Sequence, residues 1–526
     1  MIKNKFVKNV LVLLFSQGFI KILGIVYKLY LTNKTGYGDT GNALFIAPFQ
    51  VYAIFLTICS IGVPNAISCL VSEKLAKGMA NEAYRVLKVA LAIFGTLGFI
   101  LSCILFYSAK IISNSYLQMG ETDLIIKILA PSIFVISITA VLKGYFNGRQ
   151  KINITANSLL IEQIFRTVLT CIFVEILSNI TKNNTLTLVC GVAIASTLCE
   201  AISLFYMYFK LTKLKKEIWT DIITSKVFKK ERICIIVKNI LKISFPITLC
   251  ALISMGNKTI DTITIVRIAK KYLGEKEAVR QYGILSGKIE SLILFPVSFN
   301  IALTTVLIPK ISEFRAKGEF KKAKELLKLS MLTGILIGIP FFIIMFVFSE
   351  QILTIFFPNA SDGYIMLKYS SIIIIIAILN QTINSYLQGM NKMKIQIISV
   401  SIGCIVKFVL NIILIENKQI NIYGAIISNI VSYTIIFLIL IFYLIRKEKI
   451  KFIIGKYLIK PVILTISLYL IYEYIYKTIM TKSSILSFGL SIIIGGVAYL
   501  GMIILFRVIS PKDIKITKQS KHNIQK

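Results

Sequence analysis

What most limits the fold of this chain is an apolar run long enough to cross a lipid bilayer, repeated from one end of the sequence to the other. A helix needs about 20 predominantly apolar residues to span the hydrocarbon, and about 14 such stretches can be counted. The first covers 7–31, the second 43–71, the fifth 156–178 and the seventh 239–266; the second and seventh are long enough to hide short breaks. With 56% hydrophobic residues and a mean hydropathy of +0.79, the chain has more apolar surface than a water-soluble core needs. The expectation is an all-α polytopic membrane protein. The first run is too long for a cleaved signal, contains Lys21 and Lys28 and lacks a small-residue cleavage site, so it is read as the first helix.

Sixty Lys and Arg against 24 Asp and Glu give a formal net charge of +36, which on a soluble chain would suggest nucleic acid. The positions of the charges argue otherwise. Lys74, Lys77 and Arg85 follow the second span, Arg149 and Lys151 the fourth, Lys213 to Arg232 the sixth, Arg315 to Lys322 the eighth and Arg446 to Lys451 the twelfth, whereas 329–367 holds no Lys or Arg. By the positive-inside rule both termini and every even-to-odd loop are expected in the cytoplasm. One segment dissents: Arg267, Lys270, Lys271, Lys276 and Arg280 fall on the outer side, and are read as an exposed outer helix.

Several chemistries are excluded. The single histidine, His522, lies in a polar tail, and the nine cysteines are scattered through apolar spans without a CxxC pair, so a histidine relay and a metal cofactor are not expected. No glycine-rich phosphate loop of the GxxxxGK[ST] type occurs. The chain is therefore read as a transporter and not an enzyme, without a cofactor, driven by a gradient or by the substrate itself, with membrane potential, sodium or protons as the candidates for coupling.

The heptapeptide SEKLAKG at 72–78 returns as SEFRAKG at 312–318. KGYFNGRQK at 143–151 likewise matches SYLQGMNK at 385–392, aligning Tyr145 with Tyr386 and Gly148 with Gly389, and VKN occurs at 7–9 and 237–239. Three pairs at nearly one offset indicate internal duplication. Six helices per copy is an even number, so the copies are expected as parallel lobes in a pseudo-twofold arrangement, a design that places substrate between the halves. The expected divisions are a first six-helix lobe over 1–210, a basic cytoplasmic connector over 211–237, a second six-helix lobe over 238–445, two further helices within 446–509, and a basic cytoplasmic tail over 510–526. The heptapeptides are read as the cytoplasmic corner between the second and third helices of each lobe.

A charge at the bilayer centre costs roughly 2.5 to 3.5 kcal/mol on insertion scales, so charged residues inside the spans are the candidate site. Lys21 and Lys28 lie on the first helix, Glu162 and Arg166 on the fifth, Glu200 on the sixth, Lys258 and Asp261 on the seventh, Lys288 on the eighth and Lys407 on the eleventh. Structural alternatives stand beside each. Lys28 can snorkel to the headgroups, Glu162 with Arg166 and Lys258 with Asp261 can be simple intrahelical pairs, Lys288 can belong to the outer rim, and Glu200 has no partner nearby in the sequence. Asn380, Gln381 and Asn384 suit helix packing better than ligand contact. The net charge within the spans is positive, which favours an anionic substrate.

The segments IKILGIVYKLYL (20–31), SIGVPNAISCLVSEKLAKG (60–78), KGYFNGRQKINITANSLLIEQIFR (143–166), FPITLCALISMGNKTIDT (245–262) and YGILSGKIESLILFPVSFNIALTTVLIPKISE (282–313) resemble the stage V sporulation protein B and MurJ-type branch of the multidrug/oligosaccharidyl-lipid/polysaccharide exporter superfamily. The resemblance implies a fourteen-helix, two-lobed flippase of the bacterial plasma membrane. Its cationic cavity would carry a polyprenyl-pyrophosphate-linked sugar, typically the peptidoglycan precursor lipid II, from the inner to the outer leaflet by alternating access, with cell-wall synthesis proteins as partners. The family's cationic positions fall on Lys21 and Lys28 and its IEQ-x-x-R pattern on Glu162, Gln163 and Arg166; Lys288 aligns only roughly, and Cys69 stands where relatives often carry a basic residue. Pyrophosphate would then be held by Lys21, Lys28 and Arg166, with Lys288 and Lys407 in support, and ions coupled through Glu162, Glu200 or Asp261. The alternatives are a flippase for another polysaccharide or sporulation precursor, a cation-coupled multidrug exporter, and a scaffold within a cell-wall synthesis complex.

Overall fold

The computed structural model describes residues 20, 22–225, 231–453, 455–479 and 484–506, and every regular element among them is a helix. Contacts divide the chain into two compact units, Met1–Gly283 and Ile284–Lys526. The first contains α1 (22–33), α2 (Gly38–Ser60), α3 (Gly62–Ala76), α4 (Ala80–Ile111), α5 (Asp123–Gly148), α6 (Ile152–Thr181), α7 (Thr185–Lys213), α8 (Lys215–Ile223), α9 (Ile233–Leu273) and α10 (Glu275–Tyr282). The second contains α11 (Glu290–Ala316), α12 (Phe320–Val347), α13 (Ser349–Phe356), α14 (Tyr364–Ser370), α15 (Ile373–Gly389), α16 (Met393–Glu416), α17 (Tyr423–Arg446), α18 (Lys460–Ile479) and α19 (Ser484–Leu505).

Twelve helical segments among the described residues are long and apolar enough to cross a membrane, against the 14 expected. The two expected spans not among them are the first, much of which lies outside the described residues, and the fifth. The fifth is α6, which has the length at 30 residues but carries Glu162, Arg166 and Glu175.

The second span does contain a break. α2 and α3 meet at Ile61, which keeps right-handed helical angles, so the chain bends without unwinding. Pro64, in the first turn of α3, has no N–H to return to the turn before it, and Gly62 lets the bend press against α9: a Cβ at Gly62 would stand 2.4 Å from the Ser244 carbonyl oxygen. The seventh span, by contrast, is one 41-residue helix that passes through Pro246.

α9 packs on α2 and α3, and α10 on α9 and α2. The boundary between units therefore falls at Gly283 and not in the 211–237 segment suggested by the repeat. The dissenting basic segment 267–282 is helical throughout except for Gly274, whose φ of +79° turns the chain. Lys270 and Lys271 occupy the last turn of α9, and Glu275 and Glu277 the first turn of α10. These four charges sit at the helix ends whose dipoles favour them, whereas Lys276 lies between the two acids in the first turn of α10. Tyr282 is buried and hydrogen-bonds Thr262 at 2.9 Å, tying α10 back to α9.

The duplication seen in the sequence recurs as duplicated hydrogen bonding, each copy within its own unit. Ser72 Oγ donates to the Gly148 carbonyl at 3.1 Å, and Ser312 Oγ to the Gly389 carbonyl at 3.1 Å. Lys77 pairs with Glu73 at 2.5 Å and Lys317 with Glu313 at 2.7 Å. Gly78 and Gly318 leave their helices at φ +73° and +72°, a left-handed ending open to glycine at no steric cost. The serines of the heptapeptides are thus ties between helices.

After the sixth helix of each copy an acid returns to the lysine that ends the repeated stretch 143–151 or 385–392. Glu217 of α8 bonds Lys151 at 2.5 Å, and Glu448 bonds Lys392. Asp221 adds a 2.5 Å bridge to Arg149. The hydrogen bond from Lys151 holds the Glu217 carboxyl below the usual carboxylate range. A carboxyl depressed in this way stabilises the fold above its unfolded value of about 4.3 and stops doing so as pH falls through the folded value. We expect α8 to loosen as pH drops below about 4, reported by the emission anisotropy of Trp219, the only tryptophan; Glu217→Gln should remove that transition.

Candidate functional site: a buried ionic network and its neighbours

A side-chain charge network in the first unit joins three helices. Arg166 lies one turn beyond Glu162 on α6, and the same guanidinium nitrogen, Nη2, bonds Glu162 Oε1 at 3.1 Å and Glu200 Oε1 of α7 at 2.9 Å. Lys143 of α5 approaches Glu162 Oε2 at 3.7 Å. Glu200 is 7% exposed. Two acids and two bases make the group formally neutral, which is how charges become tolerable where water is scarce. Polar ties flank it: Ser158 with Ser203 at 2.7 Å joins α6 to α7, Thr197 to the Ile128 carbonyl at 2.9 Å joins α7 to α5, and Ser132 to the Tyr52 hydroxyl at 2.8 Å joins α5 to α2.

Arg166 is thus engaged by carboxylates of its own unit, and an incoming phosphate would have to compete with them. The intrahelical Glu162–Arg166 pair expected from the four-residue spacing is present, but Glu200, which has no partner within its own stretch of sequence, completes it from 34 residues away. Lys143 was not singled out by the sequence; its three-dimensional distance to Glu162 has no sequence signature.

Lys28 of α1 points to protein. Its Nζ donates to Asn42 Oδ1 of α2 at 2.5 Å, and Asn42 Nδ2 in turn donates to Thr32 Oγ1 at 3.0 Å. Asn42 is fully buried, so the snorkelling alternative does not describe this side chain. Nearby, Tyr30 and Lys34 both reach Glu175 of α6, each at 2.6 Å, a link that no spacing in the sequence announces. Lys21 lies outside the described residues. Lys258 and Asp261 both lie on α9, Lys258 half-buried and Asp261 buried.

In the second unit Lys288 is fully enclosed, with its ammonium donated to the Ala360 carbonyl and 5.7 Å from the Phe357 ring centroid. It fastens the 357–363 loop to the start of α11. Lys407, at Arg166's place in the repeat, is also buried at 1% exposure; yet Gly403 stands where Glu162 would be, so the paired-carboxylate arrangement is not duplicated. Asn380 donates to the Tyr433 carbonyl at 2.9 Å and Asn300 to Gln381 at 2.8 Å, so these amides of α15 hold neighbouring helices. Among the described residues no group of three or more His, Cys, Asp or Glu is placed to hold a metal ion.

Comparison with known proteins gives one pattern. The sequence profile of the family described as "Polysaccharide biosynthesis protein" matches residues 6–315, and that described as "MatE" matches 246–413. Lipid II flippase MurJ of Bacillus subtilis (strain 168) is 26% identical over 450 residues, covering 82% of this chain and 80% of its own. Stage V sporulation protein B of the same organism is 24% identical over 445 residues, with 84% and 83% covered. Among solved structures, lipid II flippase MurJ in an inward closed conformation superposes with a TM-score of 0.72 at 20% identity, over 94% of this chain and 99% of that one. An inward-facing multidrug resistance MATE family transporter of the MOP superfamily gives 0.65 at 15% identity, over 84% and 99%. At these identities the structural likeness concerns the fold.

Proposed function

Since the chain belongs to the polysaccharide biosynthesis protein family, we propose that this multi-pass membrane protein is a flippase for a lipid-linked oligosaccharide, and that its substrate is the polyprenyl-pyrophosphate-linked peptidoglycan precursor lipid II. The observation that carries this reading is the extended similarity to a lipid II flippase, in sequence over 82% of the chain and in fold over 94%. The chemistry is consistent. A diphosphate headgroup cannot cross hydrocarbon uncompensated, and Lys28 brings a cation against a buried amide. In this reading Lys28, with Lys21, contacts the headgroup, while Arg166 positions α6 against α7 through Glu162 and Glu200. The headgroup crosses by alternating exposure to the two sides, both termini lie in the cytoplasm, and resetting draws on membrane potential or on sodium or protons taken up at the carboxylates of Glu162, Glu200 or Asp261.

A second reading, a cation-coupled multidrug exporter, is favoured by the MatE match over 246–413 and the MATE-like fold. One experiment separates them. Expressed in a bacterium depleted of its own lipid II flippase, the protein should restore growth without raising resistance to cationic drugs. Good membrane expression with no rescue would refute lipid II as substrate, and drug efflux in the same cells would support the exporter.

A further inference from the structure

The nine-residue helix α8 presents three distinct faces. Glu217 and Asp221 turn to Lys151 and Arg149, and Ile218 is buried in the core of the first unit with Leu214 and Ile222 packed beside it. The third face is open: Trp219 is 60% exposed and Ile223, one turn on, 69%, with the exposed Lys215 and Lys216 at the start of the same helix. Each acid of α8 thus has a basic partner in the protein, and the face that carries Lys215, Lys216, Trp219 and Ile223 is apolar and cationic.

The position of this face decides its partner. α7 is long and apolar enough to cross a membrane and ends at Lys213, and only Leu214 separates it from α8. The last turns of α7 expose Phe205, Tyr208 and Phe209, while the ammonium groups of Lys210 and Lys213 stand 5.5 Å and 4.6 Å from the Tyr206 and Phe209 ring centroids. Aromatic rings mixed with lysines mark the boundary between hydrocarbon and water. α8 therefore begins at that boundary, where tryptophan has its own preference and where clustered lysines are attracted to acidic lipid.

We propose that α8 is a membrane-surface foot: Trp219 and Ile223 rest in the interfacial layer of the leaflet where α7 ends, and Lys215 and Lys216 recognise the headgroups of anionic lipids there. The partner is the lipid surface, and the interaction is separate from any transported molecule. Like other short amphipathic segments, the foot binds by the sum of a small apolar contact and headgroup charge, so lipid composition sets how firmly it holds.

Because Trp219 is the only tryptophan, its fluorescence reports this face alone. The full-length protein is placed in nanodiscs of phosphatidylcholine, or of phosphatidylcholine with phosphatidylglycerol, each with and without brominated acyl chains. Expected are a blue-shifted emission and quenching by the brominated chains, both increasing as phosphatidylglycerol is titrated in; Lys215→Glu with Lys216→Glu should lose that increase while remaining monodisperse and helical. Equal quenching with and without phosphatidylglycerol in the unsubstituted protein would overturn the headgroup recognition. Water-like emission quenched by iodide in every lipid would overturn the foot itself and leave this face to solvent or to a protein partner.

Discussion

Arg166→Ala is expected to destabilise the protein by about 3 kcal/mol, the lower end of what removing one member of a buried ionic group costs, because the Arg166 side chain is 26% exposed while that of Glu200 is 9%. Glu162 and Glu200 would be left facing each other across the space of one guanidinium nitrogen, which they approach at 3.1 and 2.9 Å. The appropriate readout is denaturant unfolding in mixed micelles. Neutralising the whole group, as Arg166→Met with Glu162→Gln and Glu200→Gln, should recover most of the loss, because the penalty comes from uncompensated charge and not from missing attraction. A loss of under about 1 kcal/mol for Arg166→Ala, as for a solvent-screened surface pair, would contradict the network's structural role.

Lys28→Ala is expected to act on transport. If the ammonium held by Asn42 at 2.5 Å also contacts a diphosphate in the moving complex, its removal takes away a charge-assisted contact of about 1.5 to 3 kcal/mol, and translocation in reconstituted vesicles should slow by about 10- to 150-fold. Lys28→Arg should retain most of the rate, since charge is kept. Unfolding measured in parallel distinguishes a transport defect from a folding one. A Lys28→Ala protein that folds normally and translocates as fast as the parent would remove Lys28 from the headgroup site. The two substitutions are predicted to differ in kind: Arg166 in stability first, Lys28 in rate first.

Features that depend on short chain separations are legible in the residue string itself. The apolar runs specify helices because hydrocarbon leaves backbone groups no partners except one another, and the bend between α2 and α3 is foreshadowed by Gly62 and Pro64 in an overlong span. The duplicated corner is legible as a repeat, and its Glu–Lys pairs are inherent in the four-residue spacing. The meaning of its serines is not, since Ser72 and Ser312 act across 76 and 77 residues on the carbonyls of Gly148 and Gly389.

The candidate site shows the same division. Charge inside apolar helices can be read from a string of letters, and it singles out Arg166, Glu200, Lys288 and Lys407. Whether such a charge is available to a ligand depends on what faces it from another helix. Glu200 meets Arg166 from α7, the Ala360 carbonyl receives Lys288, and Asn42 receives Lys28.

The sequence by itself determined the helical class, the membrane setting, the duplication and the places where charge enters the bundle, because each follows from residue type and spacing along one helix. Only the tertiary structure decided that α9 joins the first unit, that Arg166 is compensated by two carboxylates, that Lys288 fastens a loop, and that α8 pairs its acids with Lys151 and Arg149 and leaves its tryptophan exposed. Those outcomes depend on contacts between segments tens to hundreds of residues apart, and hydrophobic periodicity, which records only that a face is buried, does not encode which partner buries it.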